Sequence, residues 1–200
     1  MKKVGEPAIK PDRRYTYADY RTWPDDERWE LIDGIAWNMS PAPGRRHQGM
    51  AVEITRQIAT FLEGKSCRVY SAPFDVLLPE SREEPEDEVT TVVQPDLSVI
   101  CDRSKLTEKG CFGAPDLVVE ILSPHTSRKD MNEKLSLYER HGVREYWIVD
   151  PGNKYVHVYV LSQSGAYPKT PALYLADATL ATGVLPGLSI NLPKVFAADE

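Results

Sequence analysis

The sequence predicts an α+β domain built on a central mixed β-sheet, with one helix before its core strands and one after them. Three observations carry this. Two stretches, 46–63 and 127–141, place apolar residues at helical spacing and are followed by a glycine. Short β-branched runs such as "DLVVEIL" and "REYWIVD" are separated by turn residues. Two hairpin signals, Asp33-Gly34 and Pro151-Gly152-Asn153, each join a pair of such runs.

The elements follow in order. "TYADYRTW" opens a helix, with Thr16 as N-cap and Asp19 at the capping-box position. "RWELIDGIAWNM" is an N-terminal hairpin about Asp33-Gly34. In the first long helix His47, Met50, Ala51, Ile54, Ile58, Phe61 and Leu62 share a face, and Gly64 supplies the stop. "CRVYSAPFDVLLP" is strand structure broken at Pro73. "TTVVQPDLSVI" is a further strand. Its Pro95 has no N–H for a ladder, which implies an edge, a bulge or a strand start. "CDRSKLTEKGCFGAP" connects it to the strand "DLVVEIL". In the second helix Ser127 and Asp130 stand in capping-box register and Gly142 is the stop. "REYWIVDP" and "KYVHVYVL" form the second hairpin. The proline-containing C-terminal part reads as irregular, with extended pieces "ALYL" and "LSINL". Residues 1–14 read as a mobile leader, 15–195 as a single domain and 196–200 as a tail.

Composition narrows the class. No apolar run approaches the ~20 residues of a membrane span, and the start, "MKKVGEPAIKPDRR", lacks the apolar stretch of a secretory signal. Three cysteines without a Cys-x-x-Cys spacing favour a reducing cytosol over a structural zinc site, so a cytoplasmic location is expected. The net charge of −6 is uneven, because "ESREEPEDE" alone carries −5 and reads as a solvated loop. The remainder is near neutral, with basic pairs at Arg13-Arg14, Arg45-Arg46 and Arg128-Lys129, so charge neither supports nor excludes an anionic partner.

Chemistry points to "DLVVEIL". Alternation puts Asp116, Val118, Glu120 and Leu122 on one face, and Leu117, Val119 and Ile121 on the other. An acid inside a β-branched run is costly to desolvate unless its charge is compensated. Asp96 lies in the preceding strand, and if the two strands are neighbours it meets Glu120 at one end of the sheet. Two such carboxylates can bind a hard divalent cation. Lys134 falls inside the apolar stripe of the second helix, formed by Met131, Leu135, Leu137 and Tyr138. It either snorkels out, pairs with Asp130 one turn earlier, or lies over the sheet end beside the acids. Each residue has a purely structural alternative: Asp96 a turn acid, Glu120 an ion pair with an arginine, Lys134 its snorkelling partner. The combination favours a site. His47 reads first as a hydrogen-bonded core histidine and second as a residue near the site, beside Arg45-Arg46. Tyr155, His157 and Tyr159 share a face that reads as sheet packing before a dimer or base-stacking surface.

The segments "WELIDG", "QPDLSVI", "PDLVVEILSP", "DMNEKLSLYERHGVREYWIVDP" and "VLPGLSINLP" resemble the Uma-two family of bacterial restriction endonucleases, formerly a domain of unknown function. The resemblance runs with gaps from about Tyr15 to Pro193 and is most specific from Pro115 to Pro151. It implies the PD-(D/E)xK nuclease superfamily: a restriction-endonuclease-like core, a Mg²⁺ (or Mn²⁺) site, DNA as partner and hydrolysis of phosphodiester bonds. By analogy alone it also implies a homodimer. Pro95-Asp96 resembles the "PD" element and Glu120 the acid of "(D/E)xK". The usual lysine position is Leu122, and Lys134 matches a lysine that the family supplies from the next helix. Glu30 matches an upstream acid, with Glu53 as the alternative. Asp96, Glu120 and the Ile121 carbonyl are then the expected metal ligands. The departure at Leu122 keeps a second expectation open, a catalytically impaired nuclease fold that serves as a DNA-binding or regulatory module.

Overall fold

The computed structural model describes residues 13–24, 27–39, 42–123 and 133–198. Its strands divide the mixed sheet expected from the sequence into two. One contains β3 (Arg68–Ser71), β6 (Leu97–Ile100), β8 (Leu117–Ile121), β9 (Glu145–Asp150), β10 (Tyr155–Val160) and β11 (Ala172–Leu175), in the order β11-β10-β9-β8-β6-β3. The other contains β1 (Trp29–Ile32), β2 (Ile35–Asn38), β4 (Asp75–Leu77), β5 (Val92–Val93) and β7 (Gly110–Phe112), in the order β2-β1-β5-β4-β7. Both are mixed, since β8 runs parallel to β9 and β4 parallel to β7. A short ribbon of β12 (Thr179–Ala181) and β13 (Ser189–Asn191) completes the strands.

The two prolines explain the division. β3 pairs with β6 in the larger sheet, and β4 pairs with β5 in the smaller one. These four strands are one long hairpin, bent where Pro73 interrupts one arm and Pro95 the other. Proline cannot donate to a ladder, so the break falls where the ribbon leaves one sheet for the next. "TTVVQPDLSVI" is thus two strands, with Pro95 just before the start of the second.

Among the described residues four α-helices flank the sheets: α1 (Tyr17–Tyr20), α2 (Arg45–Leu62), α3 (Leu135–Arg140) and α4 (Leu192–Ala197). α1 is a single turn, and the Thr16 N–H donates to Asp19 as the capping box requires. α2 buries Met50, Ile54, Ile58 and Leu62 against Leu97, Val99, Leu117, Val119 and Ile121 of the larger sheet. A second core lies between the sheets and takes Val76 and Val93 from one, Val118 and Ile148 from the other, and Leu137 and Tyr138 from α3. A third, smaller core seats Tyr17 against Leu31, Leu77, Val89 and Val92. The first hairpin turns through Asp33 and Gly34 at φ 50° and 76°, as its sequence requires. The expected capping pair Ser127–Asp130 lies outside the described residues.

Some expectations are corrected. Phe196, the first residue of the segment read as a tail at 196–200, is buried in the main core as part of α4. That helix escapes the sequence reading because Pro193 suggests irregular chain. At the start of a helix proline's missing N–H costs nothing, and Asn191 caps the helix by accepting from the Lys194 N–H (3.0 Å). The β3–β6 register brings Cys67 and Cys101 opposite one another in a disulfide, an arrangement that the spacing argument for a reducing cytosol did not anticipate. The third cysteine, Cys111, is a free thiol that burial pushes up to about 12. The acidic run is exposed but tethered: Asp87 pairs with Arg21, and Glu80 lies 3.5 Å from Arg140. Tyr155 and His157 stack against each other, and Tyr159 packs against Tyr146 and Tyr167, which is the sheet-packing role expected. Among the described residues no helix is long and apolar enough to cross a membrane.

β4 and β7 meet at Asp75 and Gly110, where a Cβ on the glycine would stand 2.1 Å from the Asp75 carbonyl oxygen. Gly110→Ala is expected to destabilise the fold by about 1–3 kcal/mol through forced separation of these strands. Urea denaturation would measure this, and an unchanged midpoint would contradict the close approach.

Candidate active site at the bend

The bend gathers the acids that the sequence singles out. Leu97 of β6 stands opposite Val119 of β8, and one further step along this antiparallel register puts Asp96 opposite Glu120. The Ile121 N–H donates to Asp96 Oδ2 (2.7 Å), which fixes the carboxylate at the end of β8. His47 on α2 places Nε2 3.1 Å from the same oxygen. Asp96 keeps 20% of its side chain exposed, so this carboxylate borders solvent.

Glu120 lies deeper, at 4% exposure on the face between the sheets, where it meets Lys134. Lys134 stands immediately before α3, 3% exposed, with Nζ 2.7 Å from Glu120 Oε1. The same ammonium is 2.8 Å from Oε1 of Glu30, on β1 of the smaller sheet. Lys134 therefore neither snorkels nor rests on the surface. Its alternative partner Asp130 lies outside the described residues. Tyr138, one turn further along α3, donates its phenol to Glu120 Oε1 (2.8 Å). Burial, and then the negative charge of Glu120, raise the Tyr138 phenol well above its ordinary value, so it remains a donor.

Glu30 is placed by the bend as well, since its Oε1 also accepts the Gln94 backbone N–H (3.1 Å). Gln94 immediately precedes Pro95 and holds a second polar cluster. Its amide nitrogen donates to Asp75 Oδ1 (2.8 Å) and to the Tyr20 hydroxyl (3.1 Å), and its amide oxygen accepts from Arg28. Burial raises the Asp75 carboxyl, while the hydrogen bonds from Gln94 and Tyr20 oppose the shift.

The remaining candidates are sorted by position. Glu53 stands on α2, where Arg56 grips both its oxygens and holds its carboxyl low; the acid beside Glu120 and Lys134 is Glu30. Leu122 is buried in the core between the sheets, with its N–H donating to Val149 (2.8 Å). The buried lysine that reaches Glu120 is instead Lys134, from just before α3. His47 is hydrogen-bonded, as its first reading has it, and its partner is Asp96. Tyr138 was read only as part of an apolar stripe. Its signal was its position four residues after Lys134, on the same side of the helix.

Asp96, Glu120 and the Ile121 carbonyl are all hard oxygen donors. Among the described residues no cluster of three or more His, Cys, Asp or Glu side chains is arranged to cage a metal.

The fold matches a crystal structure described as a "putative nuclease" from Anabaena variabilis ATCC 29413 at TM-score 0.72 and 20% identity, covering 92% of this chain and 99% of that one. The chain belongs to the Uma2 family, described as "Putative restriction endonuclease", whose profile matches residues 17–193. An uncharacterized protein of Synechocystis sp. is 23% identical over 150 residues, 74% of each chain. The family and the fold class read from the sequence are thus borne out.

Removing the shared cation leaves two buried acids facing each other. Lys134→Met is expected to cost about 3–5 kcal/mol in chemical denaturation, and a loss below about 1 kcal/mol would mean that the acids are not charged there. Asp75 gives a pH signature. Its folded value is raised, so its contribution to stability is greatest at low pH and is lost as pH rises through that value. Asp75→Asn should therefore gain stability relative to wild type as pH rises from about 3 to about 7. Parallel urea titrations that showed a pH-independent difference would refute this.

Proposed function

We propose that the chain is a metal-dependent endonuclease that hydrolyses DNA phosphodiester bonds at the bend. The observation that carries this is the pairing of two acids from adjacent strands: Asp96, pinned by the Ile121 N–H, and Glu120, held by Lys134. Asp96, Glu120 and the Ile121 carbonyl would hold the ion. When bound, Mg²⁺ supplies activation of a water and neutralisation of charge on the phosphate.

The chain's own groups do the rest. Tyr138 and Lys134 both bind Oε1 of Glu120, which fixes the rotation of its carboxylate. The Ile121 N–H and His47 do the same for Asp96 through Oδ2. Both acids are thereby preorganised, so little reorganisation is required when substrate arrives. Lys134 and the two acids it joins carry one net negative charge, which favours a cation at the mouth of the site. The exposed edge of Asp96 gives the route by which a phosphate can approach.

Asp96→Asn and Glu120→Gln are expected to lower Mg²⁺-dependent cleavage of plasmid or single-stranded DNA by more than about a hundredfold. Both should also weaken Mn²⁺ binding in calorimetry. Wild-type cleavage in both variants would refute the assignment. DNA binding by wild type without any divalent binding would favour the regulatory-module alternative instead.

A further inference from the structure

A groove of about 610 Å³ runs between α2 and the bend, bordered by Arg28, His47, Thr55, Arg56, Ser71 and Asp96. Its two arginines differ in a way that matters. Arg56 forks the Glu53 carboxylate at 2.8 and 2.6 Å, so its charge is already matched. Arg28 is half-buried, and its Nε and Nη2 both bond to Gln94 Oε1, at 3.2 and 2.8 Å. That partner is a neutral amide. Among the described residues no carboxylate makes an ion pair with Arg28; Asp75 shares the Gln94 amide with it and feels its charge from beyond ion-pair distance. Gln94 is itself held by Asp75 and Tyr20, so the guanidinium is fixed in position without being neutralised.

A fixed, unneutralised guanidinium is suited to a phosphate. Its fork still has donors beyond the two that Gln94 uses, and little side-chain entropy remains to be lost on binding. Asp96 borders the same groove, which places this cation on the approach to the acids. We propose that Arg28 is a phosphate-contacting residue for a nucleic-acid strand lying in this groove, a subsite flanking the phosphate that is cut. This rests on the nuclease function proposed above. Gln94 is then a positioning residue: it aims Arg28 through its side chain while its backbone N–H holds Glu30.

The test is fluorescence anisotropy of a labelled single-stranded oligodeoxynucleotide across a salt series. Ca²⁺ stands in as a hard cation with the same ligand preference. Arg28→Gln should weaken binding by roughly tenfold and reduce the slope of log K against log salt by about one. Arg28→Lys should keep the wild-type slope while losing affinity, because it retains the charge but not the fork. Arg56→Gln should change affinity by less than about threefold, as expected for a charge already matched by Glu53. Wild-type affinity and slope in Arg28→Gln would overturn the subsite, as would an equal loss in Arg56→Gln. If wild type bound no DNA, both this inference and the DNA reading would fall. If wild type bound DNA and Mn²⁺ normally while Arg28→Gln matched it, only the subsite would be lost.

Discussion

One buried ammonium joins the two sheets. Lys134 reaches Glu30 on a strand of the smaller sheet and Glu120 on a strand of the larger one, at 2.8 and 2.7 Å. Taking three charges out of water costs several kcal/mol per ion, and only close geometry with added hydrogen bonds recovers it. The added bonds are present in the Tyr138 hydroxyl on Glu120 and the Gln94 N–H on Glu30. Such an arrangement adds little net stability compared with an apolar core. It demands one relative placement of the sheets, because any slip separates the ammonium from one acid while both remain buried. The apolar core between the sheets supplies the attraction, and the triad selects the docked position.

A comparison inside the molecule shows what is unusual about Glu120. Glu145 of β9 is also fully buried, yet its donors are all neutral: the Trp147 indole, the Thr182 hydroxyl, and the backbone N–H groups of Gly183 and Val184. That acid is solvated by protein dipoles and pins the segment at 182–184 to the sheet. Glu120 instead shares a cation with a second acid and stands in register with a third at the sheet end. Burial of a carboxylate alone does not separate these roles. What separates them is the charge of the partners and the distance to solvent.

Much of this was legible in the sequence, and the omissions have physical causes. Glu120 stood out because an acid in a β-branched run breaks a simple pattern, and Lys134 stood out for the same reason on a helix face. Glu145 stood out less, since it begins its strand beside a charged arginine, where an acid reads as surface. The hairpin at Asp33-Gly34 was plain because left-handed backbone demands those residue types. The division into two sheets was not, although both prolines marked it. A proline reports that a ladder is interrupted but not where the chain goes next. Gln94 and Arg28 gave no signal because their importance comes from partners far along the chain, Asp75 and Tyr20 among them. Polar residues at a sheet corner look like loop residues until the corner exists.

The bent ribbon also has a consequence for how such a protein can vary. Both arms pass through the bend, so among the described residues the site is set by backbone continuity near residues 72–74 and 94–96. The far tip, which carries the acidic run, is joined to the rest at its end by exposed ion pairs such as Arg21–Asp87 and Arg140–Glu80. Exposed pairs contribute little, and lengthening a surface loop costs little entropy. The tip can therefore change length and charge at little cost while the corner that holds Asp96 and Glu120 keeps its shape. A single strand pair thus divides into a lightly tethered tip and a corner held by two sheets at once.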